Sequence, residues 1–128
     1  MMLAEAVLLD VDEGLPKVII PKKTVVPYSG AIRGAFRTTS PAGVKLNIYA
    51  AEDAYDSSMR VQKSLEKEFE FPVPSGTPFD IEYHINENKA ISMKIIIDDG
   101  IREKQELELS IYSDINVTKH DYSIRIED

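Results

Sequence analysis

Apolar and polar residues alternate with a period of two along most of this chain, the signature of half-buried strands. Ile32, Gly34, Phe36 and Thr38 share one parity, against Arg33, Ala35 and Arg37. Val44, Leu46, Ile48 and Ala50 alternate with Lys45, Asn47 and Tyr49. Phe79, Ile81, Tyr83 and Ile85 alternate with Asp80, Glu82, His84 and Asn86. Ile91, Met93, Ile95 and Ile97 continue the rule, as do Leu107, Leu109 and Ile111 against Glu106, Glu108 and Ser110. One face of each strand is apolar and the other polar, as in antiparallel sheets with one wet face. Turn chemistry separates the runs: Ser40-Pro41-Ala42-Gly43, the stretch Pro72 to Pro78, Asn86 to Lys89, and Asp98-Asp99-Gly100. Short strands at such intervals predict an all-β fold, an antiparallel two-sheet β-sandwich of about eight strands. The charged stretch Glu52 to Glu68 breaks the pattern, with Met59, Val61, Leu65 and Phe69 loosely spaced. It reads as a loop with one helical turn, leading into a strand near Glu68 to Phe71.

Composition fits a self-sufficient domain. The chain has 128 residues, 43% of them hydrophobic, enough to bury roughly two thirds of its unfolded surface. It has no Cys, which removes disulfides, thiolate chemistry and the commonest structural zinc ligand. The net charge is −7. An acidic chain without a basic stripe is a poor nucleic-acid binder, because phosphate neutralisation needs clustered Lys and Arg. The one tight basic pair, Lys22-Lys23, reads as a solvated turn. The segment Met1 to Asp10 lacks the positive region of a signal peptide. No run approaches the ~20 apolar residues of a membrane span. A cytoplasmic protein without membrane or nucleic-acid partners is therefore expected, and the sequon Asn116-Val117-Thr118 carries no weight in that setting.

Candidate chemistry is sparse. His84 and His120 lie on polar parities or near a turn, with neither Cys nor a second His nearby to complete a metal site. Asp10-Val11-Asp12-Glu13-Gly14 has the start of a calcium loop, but lacks its third ligand before the Gly and its closing bidentate Glu. Gly30-Ala31-Ile32-Arg33-Gly34 has neither the spacing nor the Lys-Ser/Thr of a phosphate loop. Ser29-Gly30 and Ser75-Gly76 form no nucleophile elbow. The expectation is a non-enzymatic binding domain with no cofactor or metal of its own.

Laid end to end, the turns and strands resemble the peptide-binding β-sandwich of DnaK-type (seventy-kilodalton heat-shock) chaperones. Ile19-Ile20-Pro21-Lys22-Lys23-Thr24-Val25-Val26-Pro27 is similar to that family's Leu-Ile-x-(Lys/Arg)-Asn-Thr-x-Ile-Pro. Phe36-Arg37-Thr38-Thr39, a turn, and Val44-Lys45-Leu46-Asn47-Ile48-Tyr49 resemble its Phe-Ser-Thr-Ala and Val-x-Ile-x-Val pair. Ser64-Leu65, Phe69-Glu70-Phe71 and Pro74-Ser75-Gly76-Thr77-Pro78 resemble Leu-Gly-x-Phe followed by Pro-Arg-Gly-x-Pro. Ile81 to Asn88 resembles Glu-Val-x-Phe-x-Ile-Asp-x-Asn, with Lys89 where the family has Gly. The similarity covers Ala6 to Ile111, and its specificity lies in the order and spacing rather than in any single piece.

The resemblance implies a channel that holds a short extended peptide segment of an unfolded protein. Backbone contacts would give affinity, and a central pocket would take an aliphatic side chain. Carried over by position, it implies Leu9 and Val11 on the first channel strand, Phe36 and Arg37 on the next, and Val44 and Leu46 in the pocket floor. Asp12 and Thr39 stand where two small or apolar residues arch over the peptide, and Ser75 stands where the family has a latch Arg. ATP would enter only if an upstream ATPase domain exists. Residues 1–111 would form the sandwich, and residues 112–128 an extension adding one strand through Tyr122, Ile124 and Ile126 in place of a helical lid. That strand would pair in its own sheet or across an edge-strand homodimer. Two other readings remain open: a structural or protein-docking sandwich that has lost the channel, and a carbohydrate-binding accessory domain. The absence of Trp disfavours the latter.

Overall fold

Each alternating run forms a strand, because only a pleated strand sends successive side chains to opposite faces and so sorts this pattern into one dry face and one wet face. The computed structural model describes residues 1–57, 59–88, 90–101, 104–111 and 126–127. The strands are β1 (Met2–Leu3), β2 (Ala6–Val11), β3 (Lys17–Ile20), β4 (Tyr28–Arg37), β5 (Gly43–Ala51), β6 (Arg60–Glu68), β7 (Pro78–Ile85), β8 (Ile91–Ile97), β9 (Gln105–Ile111) and β10 (Ile126–Glu127). Two antiparallel four-stranded sheets result, ordered β3-β2-β5-β6 and β4-β7-β8-β9, with a short β1-β10 pairing beside them. The fold is an all-β antiparallel sandwich. No helix occurs among the described residues, so none there is long and apolar enough to cross a membrane. Ile126 lies in β10, whereas His120, the sequon, Tyr122 and Ile124 fall outside the described residues.

Strand β4 sits between β3 and β5 in the chain but crosses to the opposite sheet, where its only neighbour among the described residues is β7. Between Ile32, which pairs with Ile81, and Phe36, which pairs with Phe79, the register shifts and β4 bulges. Gly34 takes φ +64° there, a left-handed conformation that a side chain would strain. Its N–H donates to Asp80 Oδ1 at 2.7 Å.

The core lies between the sheets. Val7, Leu9, Leu46 and Ile48 from one sheet meet Phe79, Ile81, Ile95 and Leu107 from the other. Phe36 stacks on Phe79 with ring centroids 6.1 Å apart. Tyr83 Oη donates to the Ile19 carbonyl at 2.5 Å, tying β7 to β3 across the sandwich. Its ring fits only because residue 30 is Gly, where a Cβ would lie 2.7 Å from the hydroxyl. On the open side between β6 and β9, Gln105 is buried. Its side chain accepts from the Glu70 N–H and donates to the Phe71 carbonyl, both at 2.8 Å.

The charged stretch after Glu52 differs from the sequence expectation. Its strand, β6, spans Arg60–Glu68, and the residues 69–71 that follow are not strand. Lys63 and Lys67 share the parity of Leu65, which faces Leu46. An edge strand that places Lys at inward parity hides its own alternation.

Candidate functional site

The elements named by the resemblance converge at one end of the sandwich, where β2, β4 and β6 finish and β5 and β7 begin. Strand β2 ends in a tight turn whose central residues, Asp12 and Glu13, have φ of 51° and 63°. Two successive left-handed residues suit a hairpin whose twist matches its strands, though non-glycine residues pay for it in steric strain. The Gly14 N–H closes the turn on the Val11 carbonyl at 3.0 Å. Lys45 holds the turn from β5: its carbonyl accepts from the Asp12 N–H at 2.8 Å, and its N–H donates to Asp12 Oδ1 at 2.9 Å. Its ammonium pairs with Glu13 at 3.2 Å. Backbone strain of this kind persists only where surrounding contacts fix it.

The second Asp12 oxygen accepts from Thr39 Oγ1 at 2.6 Å, so the two residues expected to arch over a peptide meet across two separate turns. Thr39 belongs to the β4–β5 turn, which the loop before β7 clamps. Thr38 is buried and its hydroxyl donates to the Pro74 carbonyl at 2.8 Å, while its backbone exchanges bonds with Thr77 and Gly76. Ser75 Oγ donates to the Thr39 carbonyl at 3.2 Å, and Arg37 donates to the Gly76 carbonyl at 3.0 Å. Beside this bridge lies a concavity of about 500 Å³, whose wall includes Asp12, Ser40, Val44, Lys45, Glu66 and Glu68. Gly43 is obligatory at its rim, since a Cβ there would lie 2.5 Å from the Lys67 carbonyl.

The five apolar members of the expected site lie together but face the inter-sheet core. Leu9 and Leu46 are 0% exposed, Phe36 and Val44 5%, and Val11 7%. Val44 alone among them also borders the concavity. The Lys17 ammonium lies 5.1 Å above the Phe36 ring and donates to the Ala35 carbonyl at 2.6 Å, closing that flank. Arg37 is exposed and serves the loop rather than the concavity.

Sequence reasoning weighed Asp10 only as part of an incomplete calcium loop and missed its role in a buried network. It is 2% exposed, yet it lies on the outer face of its sheet. Its carboxylate accepts from Asn47 Nδ2 at 3.0 Å, from the Glu13 N–H at 3.2 Å and from the Tyr49 hydroxyl. Asn47 in turn accepts from Ser64 at 2.6 Å. Burial, and then the Asp10 carboxylate, push the Tyr49 phenol up to about 12. The signal was an acidic residue inside the otherwise apolar strand Ala6–Val11, which a buried residue needs a partner to tolerate.

A second concavity, of about 470 Å³, lies on the outer face of the other sheet. There Ser29, His84, Ser92 and Ser110 form one cross-strand row. Ser29 Oγ and His84 Nδ1 are 2.6 Å apart. Among the described residues no carboxylate hydrogen-bonds this imidazole, and no group of acidic and His residues there could hold a metal ion. No family model and no curated protein matches the sequence.

Proposed function

We propose that the chain is a non-catalytic peptide-binding domain of a DnaK-like molecular chaperone, holding short extended segments beside the Asp12–Thr39 bridge. The reading is carried by one observation. Asp12, Thr39 and Ser75 come from three separate stretches; the resemblance sets Asp12 and Thr39 at the arch over the peptide and Ser75 at the latch position, each departing from the family's residue there. Asp12 meets Thr39 at 2.6 Å, and Ser75 meets Thr39 at 3.2 Å. Alternation does not require these contacts. Val44, assigned to the pocket floor, borders the concavity that Asp12 rims. Burying one peptide Leu contributes ~1.5–3 kcal/mol, whereas micromolar binding needs about 8 kcal/mol. Backbone bonds to the bridge and strand ends supply the remainder. The absence of Cys suits a reducing cytosol.

The test is a fluorescent extended peptide with a Leu-rich centre, followed by anisotropy and backbone amide shifts. Micromolar binding with shifts at Asp12, Thr39 and Lys45 is expected, weakened by Val44→Phe. Saturating peptide without any response sinks the proposal. The second reading, a docking sandwich without a channel, is favoured by the near-complete burial of Leu9, Phe36 and Leu46. It predicts that null result.

A further inference from the structure

A two-sheet sandwich has four edge strands, each a row of backbone groups ready to pair with another chain, and native edges are usually blunted. Three of the four edges here are. Strand β3 is only four residues long, and its Ile19 carbonyl is taken by Tyr83. Strand β4 bulges at Gly34, and its Ala35 carbonyl is taken by Lys17. Strand β6 carries Lys63 and Lys67 at inward parity. Strand β9 has none of these guards. It runs seven residues in unbroken register with β8, without Pro, bulge or inward charge. Leu107 and Leu109 point inward and Glu106 and Glu108 outward. Among the described residues, no strand lies along its other side. Alternate residues there turn their N–H and C=O outward, unused by β8.

The charges select the occupant. A second copy pairing β9 with β9 about a two-fold axis in full register, Gln105 opposite Ile111, sets Glu108 opposite Glu108. Like charges directly opposite are destabilising, and each copy carries −7. A strand with Lys or Arg on the outer face instead meets both carboxylates. Its apolar face would extend the core beside Leu109, which is 8% exposed. Glu106 already lies 3.6 Å from Lys94 and from Lys104, but Glu108 has no ion pair among the described residues.

We infer that β9 is a strand-addition site for a partner segment alternating apolar and basic residues, separate from the bridged end of the sandwich. The test uses the full chain with two seven-residue capped peptides, one alternating valine and lysine, the other valine and glutamate. Amide shifts and hydrogen exchange locate the contact. The lysine peptide is expected to bind and to slow exchange along residues 105–111, with the glutamate peptide at least tenfold weaker. The variant Glu106→Lys with Glu108→Lys alters only exposed side chains and should reverse that order. The comparison of the two peptides on the unaltered chain does not depend on the variant folding. Equal binding of both peptides overturns the inference, as does a response confined to Asp12, Thr39 and Lys45. Sedimentation showing a β9-paired dimer overturns it as well.

Discussion

Replacing Asp10 by Ala tests whether the carboxylate on the outer face of sheet β3-β2-β5-β6 organises that face. Three donors lose their acceptor. Glu13 is an exposed residue, and its half-buried N–H turns to water at little cost. Asn47 is 5% exposed and cannot; Tyr49 is partly buried and recovers only part of its bond. A buried donor left unpaired costs about 1–3 kcal/mol, so the two together predict a loss of about 2–4 kcal/mol. Against a total stability of about 5–15 kcal/mol, that is a large fraction. Urea denaturation should show the midpoint falling at unchanged slope, since the surface exposed on unfolding stays the same. Glu13→Ala, which removes only an exposed ion pair, is the control and should cost under about 1 kcal/mol. If the two variants lose the same small amount, the Asp10 network contributes nothing and the reasoning is refuted.

Two further outcomes follow from named contacts. Gly30→Ala puts a Cβ 2.7 Å from the Tyr83 hydroxyl and must dislodge it from the Ile19 carbonyl, which predicts a loss of about 2 kcal/mol by thermal unfolding. The Tyr49 phenol is raised to about 12, from 10 in the unfolded chain. Its contribution to stability is therefore complete below pH 10 and disappears as the pH rises through 12. Ultraviolet titration should show a late phenol that moves down in Asp10→Asn while staying above its ordinary value, because burial remains.

Much of the fold was legible because each sheet has a single dry face. Val44, Leu46, Ile48 and Ala50, and Phe79 through Ile85 at alternate positions, are buried as their parity predicts. Legibility failed where that rule does. In β2 all six residues are buried, because Leu8, Ala6 and Ala51 form a second cluster beneath Tyr49 and Met59 on the outer face. No alternation marks a strand dry on both sides. In β6 inward lysines imitate a loop. At the candidate site, composition and periodicity carried no trace of the contacts among Asp12, Thr39 and Ser75, which lie far apart in the chain. The left-handed conformation of Glu13 was equally invisible, since Glu is not among the Gly, Asn and Asp residues that favour such a turn.

The crossing of β4 bears on how the chain emerges from the ribosome. Everything needed for sheet β3-β2-β5-β6 has been made once residue 68 is out, but the opposing wall is then represented by β4 alone, whose partner β7 is still unmade. Val7, Leu9, Leu46 and Ile48 present a bare apolar surface until the β7-β8 hairpin arrives. At roughly 5–20 residues per second, that surface stays uncovered for a second or more, long enough for a nascent-chain factor to engage it. A chain cut in the loop before β7 would meet the same situation permanently. Its first fragment would hold an orphan strand and its second a three-stranded meander missing an edge. The two halves would therefore reassemble by β4 finding β7, making the fold a natural split-protein pair.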